Sequence, residues 1–263
     1  MKKGEIRYYN SFDDDFEVTA DQNYTLPGDY KWIRTDIPSR ILSAAVYALA
    51  VAVGTVYCGL VLHTRIKGRK AFTGVKGGCF IYGNHTQPFG DVVLPALCIF
   101  PKRIYTVVST ANYGIPFIGR ILPYLGALPV TDSLRGIRAL NDAIEKRVSD
   151  GHPIVIYPEA HVWEYCSFIR PFSAVSFRYP ARLDTPVFAM TVTYKRSRIF
   201  RRPIAEVYID GPFYAKEGSV RQRSAELCKK VSDAMKARSG ECDLSYIEYR
   251  PADKREKANG STQ

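Results

Sequence analysis

Residues 41–62 form a run of 22 residues without a charged side chain, and no other feature constrains the chain as strongly. A helix of that length is about 33 Å long, enough to cover a bilayer hydrocarbon core of roughly 30 Å. Asp36, Pro38 and Ser39 just before it are residue types that start helices. Helices of soluble cores are seldom apolar on all sides for so long, so the run predicts contact with a membrane. A buried core helix is the alternative. Lys31, Arg34 and Arg40 precede the run and Arg65, Lys67, Arg69 and Lys70 follow it, so positive-inside reasoning gives no orientation. A helix dipping into one leaflet, with both ends on the cytoplasmic side, accounts for this symmetry. The expected location is therefore membrane-associated, at the cytoplasmic face.

The net charge of +11 on 263 residues asks for an anionic partner: nucleic acid, membrane surface or acidic ligand. Hydrophobic residues at 46% exclude a disordered chain. Six cysteines without a CxxC pair read as free thiols in a reducing compartment. No apolar stretch lies near Met1, so no secretory signal is expected. The domain reading is an irregular N-terminal arm over 1–35, the apolar helix over 36–66, one folded domain over 67–250 and a disordered tail over 251–263.

Within that domain short apolar runs alternate with helical patterns. Strands are predicted at 79–82, 104–108, 127–130, 154–157, 187–194 and 205–209. Helices are predicted at 91–100, 115–124, 133–149, 172–182 and 219–239. Such alternation predicts an α/β fold with a mostly parallel central sheet flanked by helices, joined to the N-terminal membrane-associated helix. Runs such as Ile154-Val155-Ile156-Tyr157 suit strands buried on both faces.

Four histidines occur, and His85 stands out in Ile81-Tyr82-Gly83-Asn84-His85-Thr86-Gln87-Pro88-Phe89-Gly90-Asp91. A buried strand here runs into a polar loop, and a helix starts near Asp91. Ligands of parallel sheets bind beyond the C-terminal ends of the strands. A histidine there, with a carboxylate to fix its tautomer, suits a general base acting on a hydroxyl near neutral pH.

Further motifs follow in order: Gly114-Ile115-Pro116-Phe117-Ile118-Gly119-Arg120, Gly126-Ala127-Leu128-Pro129-Val130, Ile154-Val155-Ile156-Tyr157-Pro158-Glu159-Ala160-His161, Ile169-Arg170-Pro171-Phe172 and Pro186-Val187-Phe188-Ala189-Met190. Together with Asn84-His85, this order and spacing resemble the glycerolipid acyltransferase family, whose best-known members acylate lysophosphatidic acid (1-acylglycerol-3-phosphate). The resemblance runs from about residue 67 to 212, more than half of the chain. It implies that the folded domain is an acyltransferase domain in which His85 is the catalytic base and Asp91 its partner. It also implies that Asn84 helps fix the loop and belongs to the acceptor-binding set with Gly114, Pro116, Phe117, Arg120 and Glu159, and that Pro186 shapes the sheet end near the donor. The implied reaction is direct attack of a lipid hydroxyl on a thioester, with acyl-coenzyme A or acyl carrier protein as co-substrate, and with neither cofactor nor metal. The residues agree, since no GxSxG elbow and no metal-ligand cluster is present. The implied partners are membrane lipid and the thioester donor, acyl carrier protein included.

Three departures from the family pattern stand out, one at the His85–Asp91 pair and two at the acceptor side. Five residues separate His85 from Asp91, where four are usual. Ala160-His161-Val162 replaces Gly-Thr-Arg, and Thr131-Asp132-Ser133 replaces a segment that usually holds an arginine. Both missing arginines would normally grip a phosphate with forked donors. Arg120, Arg135, Arg138 and Arg170 are the candidate substitutes, with Arg120 first. Arg196, Arg198, Phe200, Arg201 and Arg202 cluster between two strands and, beside an apolar helix, read as a patch against anionic headgroups. Nucleic acid is not expected, because no nucleic-acid-binding motif accompanies the charge. His152 and His161 fit no metal-ligand spacing.

Overall fold

The structure, a computed structural model, describes residues 4–16, 24–197, 203–240, 242 and 244–252. In chain order its elements are β1 (Glu5–Tyr9), α1 (Ile37–Leu60), β2 (Arg65–Lys67), β3 (Phe80–Gly83), α2 (Gly90–Ile99), β4 (Tyr105–Ser109), α3 (Ile118–Leu125), β5 (Ala127–Val130), α4 (Leu134–Ser149), β6 (Ile154–Ile156), α5 (Arg178–Leu183), β7 (Val187–Lys195), β8 (Ile204–Phe213), α6 (Val220–Ser239) and β9 (Ile247–Pro251). Among the described residues, seven strands form the central sheet in the order β2-β8-β7-β3-β6-β4-β5. Every neighbouring pair is parallel except β7 with β8. This is the α/β fold with a mostly parallel sheet that the sequence predicts.

Strand alternation divides the core. Phe80 and Tyr82 of β3, with Val187 and Ala189 of β7, face α4, α5 and α6, where Ile144, Ala181 and Val231 pack. Ile81, Phe188 and Met190 point the other way, toward Cys58 and Leu62 at the end of α1 and Leu94 of α2. A side chain such as Phe80 or Phe188, fully buried, contributes on the order of 1.5–3 kcal/mol.

Helix α1 lies lengthwise on the domain. Ser43 Oγ donates to Tyr124 O at 2.7 Å, and Ile104 N donates to Tyr47 Oη at 3.1 Å. Farther along, Gly54 sits so close to α2 that an added Cβ would fall 2.2 Å from Val93 Cγ1. These positions, with Cys58, fall four or seven residues apart and make one inner face. The outer face carries Ile37, Ile41, Leu49, Val53, Val56 and Leu60, each between 59% and 72% exposed. The helix is long and apolar enough to cross a membrane.

Four stretches differ from the sequence expectation. The N-terminal arm is not irregular throughout: β1 pairs in parallel with β9, Glu5 opposite Ile247. Pro251, read as tail, closes β9, and residues 253–263 lie outside the described residues. The predicted helix at 172–182 shortens to α5, because Pro180 has no N–H to bond back to residue 176 and is tolerated only in a first turn. Helix α3 starts at Ile118, after a 3-10 turn over Thr110–Gly114.

Candidate active site

The loop from Asn84 to Phe89 joins the C-terminal end of β3 to α2. His85 Nδ1 lies 2.8 Å from Asp91 Oδ2. The backbone N–H groups of Thr86 and Gln87 each donate to the same oxygen at 2.9 Å. Asp91 N in turn donates to Gln87 O at 3.1 Å. The loop thus folds back on its own carboxylate, and this absorbs the extra residue between His85 and Asp91. Asp91 sits in the first turn of α2, where the helix dipole favours a negative charge. Its second oxygen, Oδ1, is buried and makes no hydrogen bond.

Neighbouring side chains fix the loop from outside. Tyr157 stacks on the His85 ring, centroids 4.4 Å apart, and its hydroxyl donates to Asp91 O at 2.6 Å. Thr86 Oγ1 and Gln87 Nε2 both meet Tyr194 Oη, at 2.7 and 2.8 Å. Trp163 N donates to His85 O and Tyr165 N to Thr86 O, each at 3.0 Å. A histidine whose Nδ1–H donates to a carboxylate presents its Nε2 lone pair as a base. The His85 side chain is one-fifth exposed, whereas Asp91 is buried.

Two residues assigned to the acceptor work behind the loop. Asn84 is buried and bonded on both sides to β7: its Nδ2 donates to Val192 O at 2.9 Å, and Val192 N donates to its Oδ1 at 2.7 Å. These two bonds fix the loop against β7, and Asn84 does not line the cavity in front of His85. The Glu159 carboxylate accepts from His85 N at 3.1 Å, from Arg170 N at 2.9 Å and from Arg170 Nη2 at 3.2 Å. Burial pushes the Glu159 carboxyl up, and the Arg170 guanidinium opposes that rise. Three donors and no acceptor around it are the surroundings of an ionised carboxylate. Arg170, a candidate phosphate ligand by sequence, is buried as the partner of Glu159 and also donates to His161 O.

In front of His85 opens a cavity of about 650 Å³, within the roughly 300–1,000 Å³ of small-molecule sites. Its walls are mainly apolar, with Val93, Ala96, Ile104, Val108, Ile118 and Leu122 between α1, α2, α3 and β4. His85, Asp91 and Asp132 are its acidic or imidazole side chains, and among the described residues no lysine or arginine lines it. The structure does not bring Gly114, Pro116, Phe117 or Arg120 to this cavity; their neighbours Ile115 and Ile118 line it instead. Phe117, with φ of 62°, turns outward at 83% exposure, and Arg120, Arg135 and Arg138 are exposed. Pro186 precedes β7 and so stands at the sheet edge opposite His85. Arg196 is exposed at the end of the β7 hairpin arm, and Arg198, Phe200, Arg201 and Arg202 lie outside the described residues. Tyr157 and Tyr194 carry site roles that sequence reasoning missed. The signal for Arg170 was the need of a buried Glu159 for a cation.

A sequence profile described as Acyltransferase matches residues 63–193, a span that encloses His85, Asp91, Glu159 and Arg170. The chain is similar in fold to the crystal structure of the 1-acyl-sn-glycerophosphate (LPA) acyltransferase PlsC from Thermotoga maritima. The TM-score is 0.53 and the identity 15%, over 80% of this chain and 84% of that one. No curated protein matches the chain.

Proposed function

Because the chain belongs to the acyltransferase family, we propose that it moves a fatty acyl chain from a thioester to a lipid hydroxyl, with His85 as general base. The observation that carries this reading is the His85 Nδ1 to Asp91 Oδ2 contact of 2.8 Å at the mouth of an apolar cavity. In the proposed step, His85 Nε2 takes the proton of the acceptor hydroxyl as its oxygen bonds to the thioester carbonyl carbon. Asp91 stabilises the imidazolium that forms. The tetrahedral intermediate then collapses, the C–S bond breaks and His85 returns the proton to the departing thiolate. The products are an ester and a free thiol, and no covalent acyl-enzyme is required.

The apolar walls suit the acyl chain. The lining does not suit a phosphomonoester, which is costly to bury without paired cations, and Asp132 would repel one. This favours a lyso-lipid or lipid alcohol that keeps any phosphate outside the cavity over lysophosphatidic acid, the default acceptor of the family resemblance. The outer face of α1 supports membrane association. Since the helix packs along the domain through Ser43, Tyr47 and Gly54, we read it as lying in the interface of one leaflet, on the cytoplasmic side, rather than spanning.

The test is free-thiol release from acyl-coenzyme A and from acyl carrier protein thioester, each offered lysophosphatidic acid, headgroup-bearing lyso-lipids and uncharged lipid alcohols. Turnover with an acceptor that lacks a phosphomonoester is the expected result. No turnover with any pair would instead favour a lipid-binding relative without catalysis.

A further inference from the structure

At the opposite edge of the sheet, where the parallel strands begin, lies a second cavity of about 500 Å³. Arg34, Arg40, Arg103, Lys146, Arg147 and His152 line it, and among the described residues Asp150 is its single carboxylate. Arg34 and Arg40 flank the start of α1, Arg103 and His152 precede β4 and β6, and Lys146 and Arg147 belong to the last turn of α4. Asp150 is shared by Lys146 and Arg147, the latter at 3.9 Å. One carboxylate against five cations, drawn from distant parts of the chain, leaves a strong positive excess.

Two of these cations, Arg103 and Arg147, are fixed in place. Arg103 Nη2 donates to Ser43 Oγ and Tyr124 O, both at 2.7 Å. The guanidinium groups of Arg103 and Arg147 both approach the Tyr105 ring, at 5.4 and 4.5 Å from its centroid. The Nε atoms of both arginines are buried without a hydrogen-bond partner. His152 packs edge-on to Tyr105 at 5.3 Å, and its imidazole is pushed down by burial and by Arg147.

The position of the cavity indicates its occupant. Ser39, Arg40 and Ser43 of α1 line it, and the apolar outer face of α1 begins alongside with Ile37 and Ile41. A lipid whose chains lie against that face brings its headgroup to this cavity. We infer that the cavity holds the phosphate of an anionic membrane lipid, at a site separate from acyl transfer, and so seats the protein on the membrane. The inference rests on the reading that α1 meets lipid.

The experiment is flotation of the full-length protein with phosphatidylcholine vesicles, with and without phosphatidic acid, at about 0.15 M salt. Beside it, the His152 ring is titrated by NMR with inorganic phosphate and with short-chain phosphatidic acid. Binding stronger on acidic vesicles, and weakened roughly fivefold for each cation lost in Arg40→Gln and Lys146→Gln, is expected. Short-chain phosphatidic acid should raise the His152 pKa in the wild type at concentrations where inorganic phosphate does not. Equal binding to both vesicle types, with both variants unchanged, would overturn the headgroup site and leave the membrane reading standing. A response to inorganic phosphate equal to that for the lipid would overturn the lipid assignment. Failure to float with either vesicle would overturn the membrane reading and this site together.

Discussion

The Glu159 carboxylate holds His85 by its backbone: its Oε2 accepts from His85 N at 3.1 Å while Arg170 neutralises it at 3.2 Å. Both members of this ion pair are 1% exposed at the side chain. A buried pair that loses one member leaves an uncompensated charge, at a cost of about 3–5 kcal/mol. Glu159→Gln should therefore lower the urea midpoint strongly and reduce turnover more than acceptor KM. Combining it with Arg170→Met should recover part of the lost stability. A Glu159→Gln protein as stable as wild type would show that the pair does not hold the loop.

Ala160, next to it, takes φ of 64°, a left-handed conformation that costs a residue with a Cβ roughly 1–2 kcal/mol. Ala160→Gly removes that cost but adds freedom to the unfolded chain. The net expectation is a melting temperature raised by about 2 °C with acyl transfer retained. A lower melting temperature would show that the Ala160 methyl group has a packing role.

His152 predicts a pH dependence. Burial and Arg147 hold its pKa below the ordinary value, so the unfolded chain binds the proton more readily than the native one. Stability from this group is complete above about pH 6.5 and is lost as pH falls from there through the lower native pKa. Unfolding of wild type and His152→Asn in urea should converge above that pH. Below it, the wild type should lose stability faster. Parallel losses in the two proteins would contradict this assignment.

The two faces of α1 should respond oppositely. Val53 is 61% exposed on the outer face, so Val53→Lys should leave folding intact and weaken flotation with vesicles. Gly54 meets Val93 on the inner face, so Gly54→Leu should destabilise the protein by overpacking, about 1–3 kcal/mol. Unchanged flotation of Val53→Lys would place the membrane contact elsewhere.

How much of this was legible depended on locality. The strands β3 and β6 are continuous apolar runs and β7 opens with one, and the Asn84-His85 loop follows β3 directly, so the sheet and the candidate base could be read from short windows. The β1 with β9 pairing could not, because its register joins Glu5 to Ile247 and neither segment has a strong pattern of its own. The roles of Asn84 and Glu159 were legible as positions but not as directions. Their side chains turn to Val192 and Arg170, contacts set by the packing of β7 and of the segment after β6. Phe117 illustrates the same limit: its motif placed it at the acceptor, while its left-handed backbone turns the ring to solvent.

The role of His85 as the base is tested most directly by the turnover of purified His85→Ala with a thioester donor and an accepted lipid. Transfer should fall by about 10²–10⁴-fold, with circular dichroism and vesicle flotation unchanged. Asp91→Asn should cost less, since Asp91 orients and stabilises the ring without touching the acceptor. A His85→Ala protein that transfers acyl groups at the wild-type rate would contradict the account.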